Sequence, residues 1–291
     1  MNKFFDFFII LIQWCKLNYS VRAIDNEIGN LYFEDLPISE VRKIKGLKLL
    51  LSAVAKESYD AVGINHGIKR VLIRKEGSPE FSGIIWDYRP KGKPVEISND
   101  FTKLLEENFE AIQNEYKKVK SLKIKFPDSD SLTNNSGLWS FLPFFSKGGS
   151  PIAELHQECP VLSKIFLSAP INVTYGFCSF SILSPGTTIA AHRGSTSFRF
   201  RYHLGLEVPE PGKCKIRVGD EWIYWEQGKS FSFDDSFEHE VVHSGSKDRG
   251  ILIIDLWPDR IPKNVIAFLE KNSAFKNFGV LNQDKNVILK D

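Results

Sequence analysis

The sequence predicts a mainly β protein with flanking helices (α+β), its sheet a sandwich, jelly roll or barrel. Three observations lead there. From residue 173 onward, short runs rich in β-branched and aromatic residues recur with turns between them, at 174–183, 198–208, 213–218, 221–226, 230–234, 240–243 and 250–257. Seven runs at this spacing read as strands of a closed or two-layered sheet. Val218-Gly219-Asp220-Glu221 has the chemistry of a tight hairpin turn between two of them. Helical periodicity is confined to the segments before and after this block.

Composition narrows the class. Of 291 residues, 42% are hydrophobic and 25% charged, too apolar for a disordered chain and too polar for a multispanning membrane protein. The 38 Lys and Arg against 36 Asp and Glu give a net charge of +2, so nucleic acid is not expected as a partner. Four cysteines, none in a CxxC pair, exclude a disulfide scaffold, a zinc ribbon and a thioredoxin motif.

Residues 4–15 (FFDFFIILIQWC) are apolar but short of the ~20 residues that span a bilayer. They read as a core-docked helix or strap, with membrane association as the alternative; the compartment stays open between cytoplasm and membrane surface. Residues 39–62 read as a helix with Ser39 as N-cap. VLIR (71–74) and IIWDY (84–88) bracket a turn-rich segment and predict a hairpin, and the Pro/Gly/Lys-rich stretch 89–97 a loop or boundary. A helix over 98–120 follows, capped by Asn99 or Asp100, with Phe101, Leu104, Leu105, Phe109, Ile112, Tyr116 and Val119 on one apolar stripe. Residues 127–137 are expected as a surface loop, a short helix follows Pro160, and 262–272 closes with a helix. The predicted organisation is an N-terminal region of helix plus hairpin (1–95), a β-rich domain (96–265) and a tail (266–291).

The chemistry concentrates in the β block. The run FRFRYHLGLEV (198–208) alternates strictly, with Phe198, Phe200, Tyr202, Leu204, Leu206 and Val208 on one face and Arg199, Arg201, His203 and Gly205 on the other. The basic face is either a solvated outer surface or the lining of a cavity. Inward arginines are costly unless an anion pairs with them, so the cavity reading predicts a carboxylate ligand. His192 precedes this run, His239 lies about 50 residues further on at a strand start, Arg249 ten residues after that, and Ser181 eleven before His192. A histidine, a second histidine and a later arginine in this order match a double-stranded β-helix oxygenase. His243, four residues after His239, is expected as a rim or surface residue. Trp222, Trp225 and Trp257 are expected in the core or at a rim, and Cys178 and Cys214 as buried free thiols.

The stretch HRGSTSFRFRYHLGL…GKCKIRVGDEWIYWEQGKSFSFDDSFEHEVVHSGSKDRGILIIDLWP is similar to the aspartyl/asparaginyl β-hydroxylase family, Fe(II)- and 2-oxoglutarate-dependent oxygenases on a double-stranded β-helix. The similarity is close over 179–258 and looser back to about 98. It implies a double-stranded β-helix (jelly-roll, cupin-like) core, with His192 and His239 as the metal ligands and Asp235 as an acid holding an iron-bound water. It further implies Arg249 and Ser181 at the far carboxylate of 2-oxoglutarate, Arg201 and His203 at its other end, and Arg199 facing substrate. Gly194 stands where most such oxygenases carry a third, carboxylate ligand, as in the animal peptide hydroxylases of the family. The resulting expectation is an oxygenase using Fe(II), 2-oxoglutarate and O2 on aspartyl or asparaginyl residues of a peptide or protein. The alternatives are hydroxylation of a lipid acyl chain or small metabolite, and a cupin-like metal-binding protein without turnover.

Overall fold

A computed structural model describes residues 94–122, 137–145, 149–194 and 196–271 in full, with the backbone of strands at 20–21, 31–33, 36–37, 68–74, 81–88 and 133–134. The chain divides into two compact units. The first comprises residues 1–91, 194–197 and 262–291. In it β1 (Ser20–Val21) pairs antiparallel with β3 (Leu36–Pro37), and β2 (Leu31–Phe33) runs parallel to β4 (Ile68–Arg74). Strand β4 pairs antiparallel with β5 (Phe81–Tyr88), the hairpin that the apolar runs predict. The apolar segment 4–15 and the expected helix over 39–62 lie outside the described residues. Among the described residues no helix is long and apolar enough to cross a membrane.

The second unit, residues 92–193 and 198–261, carries the site. It opens with β6 (Val95–Glu96), then α1 (Asp100–Glu107) and α2 (Phe109–Ser121). Asn99 caps α1 by accepting the Thr102 N–H at 2.9 Å while the Thr102 hydroxyl accepts the Asn99 N–H at 2.8 Å. The apolar stripe was expected on one helix; the structure breaks it at Asn108, whose side chain donates to the Leu104 carbonyl at 2.8 Å and so satisfies a terminal group of α1. Both halves keep the stripe inward, with Leu105, Ile112, Tyr116 and Val119 buried.

After β7 (Thr133–Asn134), β8 (Trp139–Pro143), α3 (Ala153–Glu158) and α4 (Pro160–Ser168, with Pro160 in its first turn) come eight strands. These are β9 (Cys178–Leu183), β10 (Thr188–His192), β11 (Phe200–Glu207), β12 (Cys214–Val218), β13 (Glu221–Tyr224), β14 (Ser230–Phe233), β15 (His239–His243) and β16 (Arg249–Leu256). With β6, β7 and β8 they form two antiparallel sheets, ordered β6-β14-β11-β16-β9-β8 and β13-β12-β15-β10-β7. The chain crosses between sheets at nearly every step, which is the winding of a double-stranded β-helix. The β12–β13 hairpin turns through Gly219 at φ 58°, with Val218 opposite Glu221. One expectation is corrected here: Thr133-Asn134, assigned to a surface loop, is instead the edge strand β7 against β10. Helix α5 (Lys263–Lys271) of the first unit ends the described chain.

Strand phase divides the core in two. Phe200, Tyr202, Leu204 and Leu206 of β11 join Cys178 and Phe180 of β9 and Leu252, Ile254 and Leu256 of β16 in a layer under the helices. The opposite faces of these strands meet Ile189, Cys214, Ile216, Val218 and Val241 of the other sheet, together with Phe231, Phe233, Ile251 and Ile253. Arg201, His203, Ser181, Arg249 and Asp255 therefore point between the sheets, and the basic face read from the sequence is interior.

Candidate active site

His192 and His239 sit directly opposite one another where β10 pairs β15, their ring centroids 4.1 Å apart. Each ring Nδ1 lies against a carbonyl two residues back, Ala190 at 2.8 Å and Phe237 at 2.9 Å. A carbonyl only accepts, so each Nδ1 carries the proton and each Nε2 presents a bare lone pair. Burial holds both rings below the ordinary imidazole range; for His239 the neighbouring His192 adds to this. Two neutral imidazoles oriented through Nδ1 are the donor set of a metal ligand pair. Among the described residues no group of three or more His, Cys, Asp or Glu is gathered as a metal site. The pair accordingly offers two protein ligands.

Beside the pair lies a buried ionic network. Arg201 is bidentate to Asp255, with Nε at 2.8 Å from Oδ1 and Nη2 at 2.7 Å from Oδ2, and its Nη1 is 3.4 Å from Asp235 Oδ2. Arg199 donates to Asp235 Oδ2 through Nε at 2.8 Å and Nη2 at 2.6 Å, and to the Tyr175 carbonyl through Nη1. Burial pushes the Asp235 carboxyl up, but Arg199 and Arg201 prevail and hold it below the usual carboxylate range. Asp235 is 1% exposed and its Oδ1 has no partner among the described residues. The anions that inward arginines require are thus supplied by the chain itself at Arg199 and Arg201. Asp255, which sequence reasoning missed, is one of them. Its position was readable from phase, since 249, 251, 253 and 255 share one face of β16. Asp255 also accepts the Phe177 N–H at 2.9 Å, and the close packing of Gly176 against its side chain leaves no room there for a Cβ, which would lie 2.7 Å from the Asn172 carbonyl oxygen.

Arg249 differs. It is 2% exposed, its guanidinium lies 4.8 Å from the Trp225 ring centroid, and the Cys214 thiol is a polar neighbour. Its Nε and Nη1 are buried without a partner among the described residues, as are Nε1 of Trp225 and both ring nitrogens of His203. His203 and Trp225 stack with centroids 5.7 Å apart. Natives rarely strand such groups, and here five polar atoms are stranded together, nearly all of them donors. His203 in turn contacts Phe233 at 5.1 Å and Phe233 contacts His239 at 5.5 Å, so one aromatic wall runs from the histidine pair to Arg249. Ser181, fully buried on β9, accepts the Trp139 indole N–H at 3.0 Å and faces the same interior.

The structure therefore brings all eight sequence-predicted site residues between the sheets or to the histidine end. Trp225, expected only as core or rim, is a buried member of the donor cluster; Trp257 is buried and Trp222 exposed. The expectation for His243 is corrected: it is 3% exposed, its Nε2 donates to the Lys247 carbonyl at 2.8 Å and its Nδ1 accepts the Gly245 N–H at 3.3 Å. His156 is held between the Phe144 carbonyl and the Ser163 hydroxyl, a packing role. Cys178 and Cys214 are buried free thiols as expected.

Comparison with known proteins gives the family. Residues 106–259 match the family model described as aspartyl/asparaginyl beta-hydroxylase. The chain is 36% identical over 175 residues to the aspartyl/asparaginyl beta-hydroxylase of Mus musculus, covering 56% of this chain and 22% of that protein. It is 32% identical over 173 residues to aspartate beta-hydroxylase domain-containing protein 2 of Xenopus tropicalis, covering 56% and 46%. It is 30% identical over 184 residues to the ornithine lipid ester-linked acyl 2-hydroxylase of Rhizobium tropici, covering 61% of each. The matched region thus spans from about a fifth to three fifths of these relatives' length. A solved structure titled as a predicted oxalate decarboxylase from Thermotoga maritima is also similar, at TM-score 0.31 and 13% identity over 47% of this chain and 96% of that one. With the family model covering more than half of its length, the chain belongs to the aspartyl/asparaginyl β-hydroxylase family.

Proposed function

We propose that the protein is an Fe(II)- and 2-oxoglutarate-dependent hydroxylase acting on aspartyl or asparaginyl residues of a peptide or protein. The observation that carries this reading is the pairing of two ends. At one end, two imidazoles present free Nε2 lone pairs; at the other, a buried Arg249 has no carboxylate partner among the described residues. A molecule with a metal-binding keto acid at one terminus and a carboxylate at the other fits both. Iron with 2-oxoglutarate supplies the O2-dependent oxidation that converts a substrate C–H bond to C–OH as the keto acid becomes succinate and CO2.

The rest is the work of this chain. His192 and His239 hold the metal, their tautomers set by the Ala190 and Phe237 carbonyls. Arg249 takes the far carboxylate in a charge-assisted bond, helped by the Trp225 indole N–H, with Ser181 on the adjoining strand. His203 and Arg201 border the keto-acid end. Asp235 keeps Oδ1 free for a water beside the metal while its Oδ2 fixes Arg199. Arg199 meets the substrate as a neutralised pair with Asp235, so it orients a polar group more than it attracts a bare anion. Likeness to the Rhizobium tropici acyl hydroxylase over 61% of both chains supports a second reading, hydroxylation of a lipid acyl chain.

The test is an anaerobic visible spectrum of purified protein with Fe(II), before and after 2-oxoglutarate. A new charge-transfer band, absent in His239→Ala, is expected. Iron binding without a band refutes cosubstrate use and leaves a metal-binding protein. Incorporation of one oxygen into an Asp/Asn-containing EGF-like peptide, against a lipid extract, then separates the two substrates.

A further inference from the structure

Arg249 is the first residue of β16, and the chain reaches it by crossing from one sheet to the other through residues 244–248. A strand end reached through a sheet-to-sheet crossing frays unless it is tied down. This one is tied on both sides. From β15, His243 donates through Nε2 to the Lys247 carbonyl at 2.8 Å and accepts the Gly245 N–H on Nδ1 at 3.3 Å. From the β11–β12 turn, Glu210 Oε2 accepts the N–H groups of Ser246 at 2.6 Å and Lys247 at 2.9 Å, and its Oε1 accepts the Ser246 hydroxyl at 3.2 Å. The Ser244 N–H donates to the Lys213 carbonyl at 2.8 Å. A Cβ on Gly245 would lie 2.6 Å from Glu210 Oε2 and 2.8 Å from His243 Cε1, so the two clamps close on the glycine. The same turn leads directly into Cys214, which faces His243 in register and neighbours Arg249.

We propose that His243 and Glu210 are positioning residues: they buckle the β15–β16 crossing onto the β11–β12 turn, fix Arg249 against Cys214 and Trp225, and thereby set the preference for a keto acid with a second, distal carboxylate. Both residues act through Arg249. The inference rests on Arg249 being the anchor of that carboxylate, as under Proposed function.

The experiment is direct binding, by calorimetry, of 2-oxoglutarate and of pyruvate (a keto acid without the distal carboxylate) to the full-length chain loaded anaerobically with Mn(II). His243→Ala and Glu210→Ala are each expected to weaken 2-oxoglutarate about tenfold, the scale of one or two lost hydrogen bonds. Pyruvate and Mn(II) affinities should stay within about twofold. His243→Gln, whose amide can again donate to Lys247 O and accept from Gly245 N, should recover most of the loss. A His243→Ala protein that binds 2-oxoglutarate like the parent, or that loses both keto acids equally, overturns the proposal. If His243→Ala does not fold, the more exposed Glu210→Ala carries the same test. A parent protein that binds Mn(II) but no 2-oxoglutarate overturns the cosubstrate reading itself, and this inference with it.

Discussion

Replacing Asp255 with Ala isolates the ionic network beneath the histidine pair. Asp255 is fully buried and takes two hydrogen bonds from Arg201, at 2.8 and 2.7 Å, and one from the Phe177 N–H at 2.9 Å. Without it, the one carboxylate among the described residues left to the buried Arg201 is Asp235, at 3.4 Å and already engaged with Arg199. Removing one partner of a buried ion pair costs about 3–5 kcal/mol, because the remaining charge is desolvated and uncompensated. At about 2–4 °C per kcal/mol for a domain of this size, the melting temperature should fall by about 10 °C. The assay is urea and thermal unfolding of parent, Asp255→Ala and the Arg201→Met/Asp255→Leu double variant. The double variant should regain most of the stability, since apolar replacement of both partners removes the stranded charge. A loss below about 1 kcal/mol in Asp255→Ala, or a double variant no more stable than the single, would refute the reasoning.

Two further outcomes follow from the site. Arg249→Met should raise the melting temperature of ligand-free protein by a few degrees, because it removes a buried cation with no carboxylate partner among the described residues, while abolishing 2-oxoglutarate binding by calorimetry; unchanged binding would show that the arginine is not the anchor. Burial depresses the folded-state values of His192, His203 and His239, so the unfolded chain binds more protons than the folded one at mildly acid pH. The stability of metal-free protein is therefore full above the free-imidazole value of about 6.5 and falls as pH drops below it; Asp235, also depressed, adds the same trend only below about pH 4. Melting temperature read from pH 8 to pH 5 should decline, less steeply in His239→Gln, and a flat profile would count against three buried neutral rings.

Along the chain, what was legible was whatever depends on local periodicity and on strand phase. The seven β runs all became strands, because β-branched and aromatic residues in short alternating runs fit a pleated surface in most settings. Strand β10, TIAAH, escaped notice: a run of small residues is a strand here only because β15 and β7 flank it. The break at Asn108 was hidden for a similar reason, since the apolar stripe passes through it without interruption and only a side chain turning back on Leu104 ends the first helix.

For the site, sequence order and phase by themselves placed Arg199, Arg201 and His203 on one face and set His192, His239 and Arg249 in a meaningful series. Period-two alternation fixes which residues share a face without tertiary information. Whether that face lay inside or outside, and which arginine lacked an anion, was decided by tertiary structure alone. Pairing β11 with β16 put Asp255 opposite Arg201, and the loop before β15 brought Asp235 to Arg199; each neutralised its cation. Among the described residues Arg249 found a thiol and an indole and no carboxylate. Charge compensation depends on distances of a few ångströms between residues 36 to 54 positions apart in the chain. No periodicity encodes those distances, so only the folded protein shows which charge is left for a ligand.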